Sequence, residues 1–306
     1  MRAIRLHHRG GPEALVLDDA PVPRPGSGEV LIDVRAAGVT PTELEWAPTW
    51  STREGAPRPL PVIPGHEFSG VVRAIGTGVT DLAPGDAVYG LNDWFRDGAQ
   101  AERCVAEAAG VARKPRSVDH ATAAITPISA LTAWQGLIDR ARLEPGERVL
   151  VHGGAGGVGS FAVQIAHLCG AHVIATVSAH NAALVRHLGA ALAIDRRTTR
   201  FEDVARDVDV VLDTVGGDTL ARSWGVLRPG GRMVTVAASG EQTDDPRVRD
   251  AFFIVQPSRA QLANVARLID GGDLRPLVGT IHDLADARRA YTSRPDRGKN
   301  VVTIGA

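Results

Sequence analysis

The sequence predicts an α/β protein in which a β-rich domain precedes a doubly wound parallel sheet. A glycine-rich turn joins an apolar run, Arg148–His152, to an apolar-periodic helix predicted over residues 160–169. Residues 1–116 are rich in Gly and Pro and hold short β-like runs, whereas strands and amphipathic helices alternate from Asp119 onward. Such alternation predicts a parallel sheet with helices packed on its faces.

The turn after the Arg148–His152 run has the glycine spacing of a dinucleotide-binding loop. One glycine allows a tight turn, one lets the backbone approach a pyrophosphate, and one lets the next helix pack closely on the strand. The helix then directs its N-terminal amides and its dipole at the phosphates. The predicted phosphate loop comprises Gly154, Ala155, Gly156, Gly157, Val158 and Gly159.

The first domain is predicted to cover residues 1–118. Its β-like runs lie at residues 29–34, 70–75 and 86–89, and Gly- and Pro-containing turns separate them. Short strands joined by turns are typical of an antiparallel sheet.

The second domain is predicted to cover residues 119–256, and the segment 257–306 is expected to return to the first domain. The predicted strands of the second domain are residues 148–152, 171–177, 192–195, 208–215, 232–237 and 252–255. The last segment is predicted to contain helices at 259–269 and 285–291 and strands at 274–281 and 300–304. Because the run 252–255 is apolar on both faces and lies at the expected sheet edge, we predict a two-fold homodimer that extends the sheet.

The composition is typical of a soluble globular enzyme. The chain has 306 residues, a formal net charge of −1 and 44% hydrophobic residues, enough for one large or two ordinary domains. The absence of a basic face or a run of like charges argues against nucleic-acid and membrane-surface binding. Two cysteines, Cys104 and Cys169, cannot form a disulfide framework, and no signal-like or spanning apolar segment is present. We therefore expect a cytoplasmic protein.

Seven motifs, in order and at their spacing, make the chain resemble the medium-chain dehydrogenase/reductase superfamily, in particular its zinc-independent quinone oxidoreductase branch. The motifs are PGHEFSG at 64–70, LAPGDAV at 82–88, LTAW at 131–134, the glycine loop, DTVGG at 213–217, LRPGG at 227–231 and GKNVV at 298–302. The resemblance covers essentially the whole chain. It implies a GroES-like catalytic domain followed by a Rossmann domain.

The residues do not supply the zinc ligands that the alcohol dehydrogenases of this superfamily use. Those enzymes place a Cys where this chain has Thr40, followed by the His of the GHE motif and a later Cys or Asp. Only His66 remains, because residues 125–131 contain no Cys, His or Asp. A catalytic zinc needs three protein ligands, and a threonine hydroxyl is too weak a donor to replace a thiolate. We predict no metal; His66 is then either a hydrogen-bonded residue of the turn or a proton donor, and Thr40 is a candidate hydrogen-bond donor.

The sequence favours NADPH over NADH. Rossmann sites that prefer NAD place an acid about 20 residues after the glycine turn, where it binds the ribose 2'-hydroxyl. This chain has Ser178 and Asn181 in that region, and Arg196 or Arg197 follows the next strand. A guanidinium suits a 2'-phosphate. Related quinone oxidoreductases usually have a Tyr at the position of Arg196 and a Lys near Asn181, so the details differ here.

The resemblance implies further site residues. Val215 and Gly216 are expected beneath the cofactor, Ala237, Ala238 and Ser239 beside the nicotinamide ribose, and Ile254 and Val255 near the nicotinamide. Lys299 and Asn300 match a C-terminal family motif and are expected to close over the cofactor. Trp46, Trp94 and Phe95 are expected to line the substrate pocket. Each of these residues could equally serve core packing. Many relatives have a cofactor-binding Lys near position 45, where this chain has Glu45.

The predicted function is NADPH-dependent, zinc-independent transfer of hydride to a quinone or an α,β-unsaturated carbonyl, a small-molecule substrate. The cofactor performs the chemistry and the protein positions it. Three alternatives remain open from the sequence: a stand-alone enoyl reductase acting on a polyketide or acyl thioester, a zinc alcohol dehydrogenase, and a non-catalytic NADPH-binding structural or regulatory protein.

Overall fold

The computed structural model of the protein describes residues 1–237 and 243–305. The chain forms two compact units. The first contains Met1–Ile128, Pro257–Gly272 and the residues from Pro276 onward, and the second contains Ser129–Gln256 and Asp273–Arg275. Among the described residues, no helix has the length and apolarity needed to cross a membrane.

The strands are β1 Arg2–Leu6, β2 Leu15–Asp19, β3 Glu29–Gly38, β4 Glu67–Ile75, β5 Ala87–Leu91, β6 Arg103–Glu107, β7 Val111–Arg113, β8 Arg148–His152, β9 His172–Val177, β10 Leu192–Asp195, β11 Val208–Asp213, β12 Leu227–Thr235, β13 Val278–Asp283 and β14 Lys299–Thr303. The α-helices are α1 Ala47–Trp50, α2 His120–Ala124, α3 Pro127–Trp134, α4 Gly157–Leu168, α5 Ala182–His187, α6 Phe201–Val204, α7 Gly217–Ser223, α8 Pro246–Ala251, α9 Arg259–Asp270 and α10 Ala287–Thr292.

The first unit is built on a sheet whose strand order is β13-β14-β3-β4-β5-β7, with β6 also paired to β3. The long central strand β3 pairs antiparallel with β4, β6 and β14. Its core contains Leu6, Ile32 and Phe68, all almost fully buried. The pairing of Val302 with Ala37 inserts the last strand of the chain into this sheet.

The first unit extends beyond the predicted boundary at residue 118. Helix α2 belongs to it because Ala121 and Ala124 pack in one apolar cluster with Ala36 of β3 and Val301 of β14. The side chain of Asp119 caps this helix by accepting a hydrogen bond from the amide of Thr122 at 2.8 Å. The chain passes into the second unit after Ile128.

The second unit contains a parallel five-stranded sheet of order β10-β9-β8-β11-β12. The central strand β8 is buried on both faces, as expected for a parallel sheet covered by helices. From β8 the chain winds outward to β9 and β10, and it then returns to place β11 and β12 on the other side. The strand order therefore reverses between β8 and β11, which confirms the doubly wound prediction.

Most predicted strands are confirmed, but the strand predicted at residues 252–255 is wrong. Phe252 forms only an isolated bridge with Thr235, and the next residues are irregular. Side chains bond the backbone here instead. Nε2 of Gln256 donates to the carbonyl of Ile254 at 3.1 Å, and at Gln256 the backbone N–H donates to Oε1 of Gln135 at 2.9 Å while its carbonyl accepts from Nε2 of Gln135 at 2.8 Å. The edge strand on this side of the sheet is therefore β12.

Candidate functional site

The cofactor residues predicted in the second unit follow the carboxyl ends of its parallel strands. The glycine loop follows β8, Ser178 follows β9, Arg196 follows β10, Val215 follows β11, and Ala237 lies two residues after β12. Parallel strands end at the same edge of a sheet, and ligands of doubly wound proteins bind outside that edge where the strand order reverses. The fold thus brings residues that are far apart in the sequence to the same edge of the parallel sheet.

The glycines of the loop lie where side chains would not fit. A Cβ on Gly159 would overlap the carbonyl of Gly153, so α4 could not start so close to β8. A Cβ on Gly154 would lie 2.8 Å from the Cβ of Ala175 in β9. A Cβ on Gly156 would meet only the carbonyl oxygen of Gly153, at 3.3 Å. Packing therefore requires glycine at 154 and 159, whereas the space in front of Gly156 is open for a ligand.

The first turn of α4 offers backbone donors to a ligand. Gly156 is the N-cap and has no capping side chain, and its carbonyl accepts from Ser160 N–H at 3.0 Å. The amides of Gly157, Val158 and Gly159 precede the first helical hydrogen bond and have no acceptor within the helix. Ala155 is buried beneath the loop. This arrangement fits a pyrophosphate, which would accept from these amides at the positive end of the helix dipole.

The segment after β9 has no acidic side chain, because it reads Ser178, Ala179, His180 and Asn181. Ser178 is half-buried and its carbonyl accepts from Asn181 N–H at 2.9 Å. Arg196 is exposed, and no described residue pairs with its guanidinium. This exposed guanidinium beyond β10 is available to an anionic ligand.

The ends of β11 and β12 are joined by the carboxylate of Asp213, which is fully buried. It accepts from the amides of Val215 at 3.1 Å and Gly216 at 3.0 Å, and from the hydroxyl of Thr235 at 2.9 Å. Strand β11 therefore ends at Asp213, two residues earlier than predicted. A Cβ on Gly216, whose φ is 76°, would lie 3.1 Å from the Cβ of Ala237. Of the predicted ribose neighbours, Ala238 and Ser239 lie outside the described residues.

Two of the predicted cofactor residues in the second unit are exposed apolar side chains. Val215 is 54% exposed and Ile254 is 57% exposed, although Val255 is buried. Apolar side chains exposed beyond the strands of such a sheet are suited to contact a flat ring such as a nicotinamide.

In the first unit, His66 lies in a buried polar cluster with Glu43. Nδ1 of His66 is 3.6 Å from Oε1 of Glu43, and both side chains are 1% exposed. The same carboxylate oxygen accepts from the amide of Gly65 and from the hydroxyl of Tyr291, the latter at 3.5 Å. Tyr291 accepts from Nε2 of Gln100 at 2.7 Å. Burial raises the pKa of the Tyr291 hydroxyl well above its usual value, so it stays a donor.

Two of the three predicted pocket aromatics lie beside His66. The ring centroids of His66 and Trp94 are 5.2 Å apart, and Trp46 meets Trp94 edge-on at 5.6 Å. Phe95 instead packs under the guanidinium of Arg53, 4.9 Å away. The ring nitrogens of His66, the hydroxyl of Thr40 and the indole N–H of Trp94 are buried without hydrogen-bond partners among the described residues. Buried donors and acceptors without partners are costly, so this cluster is suited to bind a polar group.

The two predicted C-terminal site residues have partners within the first unit. The ammonium of Lys299 forms an ion pair with the buried carboxylate of Glu67, whose other oxygen accepts from Ile128 N–H at 2.8 Å. Burial raises the pKa of Glu67, and the Lys299 charge opposes that shift. Nδ2 of Asn300 donates to the carbonyls of Ala290 and Ser293 at 2.9 Å and 3.0 Å.

The residues present do not fit a catalytic zinc. Among the described ranges, no three side chains of His, Cys, Asp or Glu converge closely enough to hold a metal ion. Glu67 is paired with Lys299, which leaves His66 with Glu43 as its acidic neighbour.

Sequence reasoning missed Glu43 and His152. Glu43 and Glu45 are separated by one residue, yet the short 3₁₀ helix Pro41–Glu45 buries Glu43 and exposes Glu45. His152 ends β8 and is fully buried. No local sequence signal indicated the role of either residue.

Comparison with known proteins identifies the family. Residues 26–189 match the alcohol dehydrogenase GroES-like domain model, and residues 188–302 match the zinc-binding dehydrogenase model. The NADPH-dependent alkenal/one oxidoreductase of Arabidopsis thaliana is 36% identical over 91% of this chain and 72% of its own. The quinone oxidoreductase of Rattus norvegicus is 31% identical over 95% of this chain and 93% of its own.

Solved structures support the same family assignment. The quinone oxidoreductase of Coxiella burnetii superposes with a TM-score of 0.88 at 30% identity over 100% of this chain and 99% of that one. The chain belongs to the medium-chain dehydrogenase/reductase superfamily, in its quinone oxidoreductase-like branch. A mycobacterial member complexed with NADPH superposes with a TM-score of 0.82 at 32% identity over 99% of both chains.

Proposed function

We propose that this medium-chain reductase transfers hydride from NADPH to a quinone or to the β-carbon of an α,β-unsaturated carbonyl. The observation that carries the proposal is the glycine loop, because the amides of Gly157 and Val158 and the open space before Gly156 fit a dinucleotide pyrophosphate. The names of the plant alkenal/one and rat quinone reductases support the substrate class.

The chemistry needs a hydride and a proton. A bound nicotinamide cofactor would supply the hydride and leave oxidised. In an enone the C=C electrons then move toward the carbonyl oxygen, which needs hydrogen-bond donors until a proton adds to the enolate. The Thr40 hydroxyl and the His66 imidazole are the candidate donors, because both are buried polar groups without protein partners among the described residues.

Glu43 would hold His66 in position for this task. Its carboxylate lies on the Nδ1 side of the ring, with Oε1 3.6 Å from Nδ1. The Nε2 side of the ring is then the one available for a polar group. Trp46 and Trp94, beside His66, would contact the apolar part of the substrate.

The preference for NADPH over NADH is part of the proposal. It is supported by the absence of an acid after β9, where the chain has the neutral Ser178 and Asn181, and by the exposed Arg196 beyond β10, with which no described residue forms an ion pair. The plant relative is named as NADPH-dependent, and the mycobacterial structure contains NADPH. We further propose that Val215, Gly216, Ala237, Ile254 and Val255 contact the cofactor.

Other parts of the proposal concern zinc, assembly and location. We propose activity without zinc; one equivalent of tightly bound zinc, found by elemental analysis, would contradict this. The homodimer and the cytoplasmic location stay proposals, and the edge strand on the side of residues 252–255 is β12. Lys299 and Asn300 would support the site through Glu67 and the C-terminal backbone.

A substrate panel tests the proposed function. The purified protein is mixed with NADPH and, separately, with a quinone, an enone, an enoyl thioester, a saturated ketone and a simple alcohol with NADP⁺. We expect NADPH oxidation with the quinone or the enone and almost none with the saturated ketone. Efficient oxidation of the alcohol would contradict the proposal, and exclusive use of the thioester would move the substrate class to acyl thioesters.

A further inference from the structure

We propose that His152 is a positioning residue for the phosphate loop and acts through the hydroxyl of Thr176 on Gly153, the residue just before the loop. The inference rests on the proposed cofactor site, since it explains how that site is held in shape. Its evidence is a separate set of buried hydrogen bonds in the second unit.

The imidazole of His152 links two strands and a helix. Nδ1 lies 3.1 Å from Oγ1 of Thr176 in β9, and Nε2 lies 2.8 Å from Oγ of Ser223 in α7. The ring is fully buried, and Phe201 meets it edge-on with centroids 4.7 Å apart. A buried polar side chain with both nitrogens bonded has a single allowed orientation.

The donors and acceptors of this chain of bonds fix one tautomer. The hydroxyl of Ser223 donates a hydrogen bond to the carbonyl of Thr219 at 2.6 Å. Its oxygen therefore accepts the hydrogen bond from Nε2–H of His152. Nδ1 is then an acceptor, and it accepts a hydrogen bond from the hydroxyl of Thr176. The oxygen of Thr176 keeps its lone pairs for Gly153 N–H, 3.3 Å away. Burial lowers the pKa of His152 to about 4, which keeps the ring neutral near neutral pH.

The bonded residue, Gly153, determines the shape of the loop. Its φ of 72° turns the chain out of β8, and its carbonyl accepts from Gly156 N–H at 2.9 Å. The same carbonyl is the group against which Gly159 packs. Thr176 also binds the next residue, because its carbonyl accepts from Gly154 N–H at 3.0 Å. An oriented Thr176 hydroxyl therefore fixes the backbone of Gly153, which precedes the residues whose amides are proposed to bind phosphate.

Two variants of His152 separate positioning from packing. Both His152→Asn and His152→Gln remove the imidazole ring, but Asn places an acceptor near the position of Nδ1, whereas Gln places its amide near the position of Nε2. Asn can therefore keep the bond to Thr176, and Gln can keep only the bond to Ser223. A role in packing alone predicts the smaller effect for His152→Gln, because glutamine is closer to histidine in volume.

The first readout needs no cofactor: amide hydrogen exchange of residues 153–159. We expect wild-type-like exchange in His152→Asn and exchange at least about threefold faster in His152→Gln. The second is the Kd for NADPH, by fluorescence titration, which we expect to rise about tenfold in His152→Gln and to change little in His152→Asn. Tyr89→Phe, which removes a buried hydrogen bond of the first unit, is the stability control and should change neither readout.

A second pair covers the case in which the His152 variants fail to fold. Thr176→Ser keeps the hydroxyl and Thr176→Val removes it, and only the Val variant should show fast loop exchange and weak NADPH binding. Equal effects within both pairs would overturn the inference. If wild-type protein binds no NADPH, the proposed function fails, and the exchange data on the unliganded protein still decide the role of His152.

Discussion

The sharpest prediction separates two glycines of the phosphate loop. Gly156 has extended backbone angles that any residue adopts, and its Cβ would meet only one oxygen, at 3.3 Å. We therefore expect Gly156→Leu to fold as the wild type does. Its side chain would occupy the space in front of the amides of Gly157 and Val158. If two charge-assisted hydrogen bonds of about 1.5 kcal/mol or more are lost, the Kd for NADPH should rise at least about 100-fold.

Gly159→Ala should behave in the opposite way. Its Cβ would overlap the backbone carbonyl of Gly153, so no side-chain rotation can relieve the contact. Overpacking of this kind costs about 3 kcal/mol, which exceeds the gain of about 1 kcal/mol from Ala in a helix. The net loss of about 2 kcal/mol corresponds to a Tm about 4–8 °C lower for a unit of this size.

Thermal unfolding and fluorescence titration with NADPH measure both quantities. Gly225→Leu is the matched control, because a Cβ there meets nothing and Gly225 lies outside the loop. It should change neither the Tm nor the Kd by much. Wild-type affinity in Gly156→Leu would refute the assignment of this loop to the pyrophosphate, and a wild-type Tm in Gly159→Ala would refute the packing argument.

Arg196→Ala should narrow the preference for NADPH over NADH about fivefold, as expected from an exposed ion pair worth about 1 kcal/mol; an unchanged ratio of the two Kd values would exclude Arg196 from the 2'-phosphate site. Thr40→Val should lower kcat about tenfold without changing the Kd for NADPH, whereas Thr40→Ser should keep turnover; full activity of the Val variant would end the role of Thr40. From about pH 7 to about pH 5 the second unit should lose about 2 kcal/mol of stability through His152, whose pKa is about 4 when folded and near 6.5 when unfolded. The folded state binds fewer protons than the unfolded state in this range, so the stability decreases as the pH is lowered. The charges of Asp213, Glu202 and Arg222 also influence the pKa of this ring. Denaturant midpoints measured against pH for the wild type and for His152→Asn therefore isolate the contribution of His152 to the pH dependence of stability, and the same pH dependence in both proteins would contradict the prediction.

The fold could be predicted because its strongest signals are local. The glycine spacing after β8 and the alternation of strands and helices predicted the parallel sheet, and the structure confirms it. The strand at residues 252–255 was wrong for a physical reason. Phe253 and Val255 are buried and Ile254 is exposed, which imitates a strand, but side chains bond the backbone here: Gln256 donates to the carbonyl of Ile254, and Gln135 pairs with the backbone of Gln256.

The buried polar cluster around His66 was less predictable because its contacts join distant residues. Tyr291 reaches Glu43 across nearly the whole sequence, and no local pattern distinguishes the buried Glu43 from the exposed Glu45. The role of Lys299 also depends on a distant partner, the buried Glu67. Pairing of this kind follows from the sheet that places β14 beside β3, which the chain order alone does not specify.

The most direct test of the central claim follows the transferred hydride. The wild-type protein is incubated with an enone and NADPH that carries deuterium at C4 of the nicotinamide, and the product is analysed by mass spectrometry and NMR. We expect one deuterium at the β-carbon, with the α-hydrogen taken from solvent. A reduced product without label at the β-carbon in reactions with either C4 epimer of the labelled cofactor would contradict it.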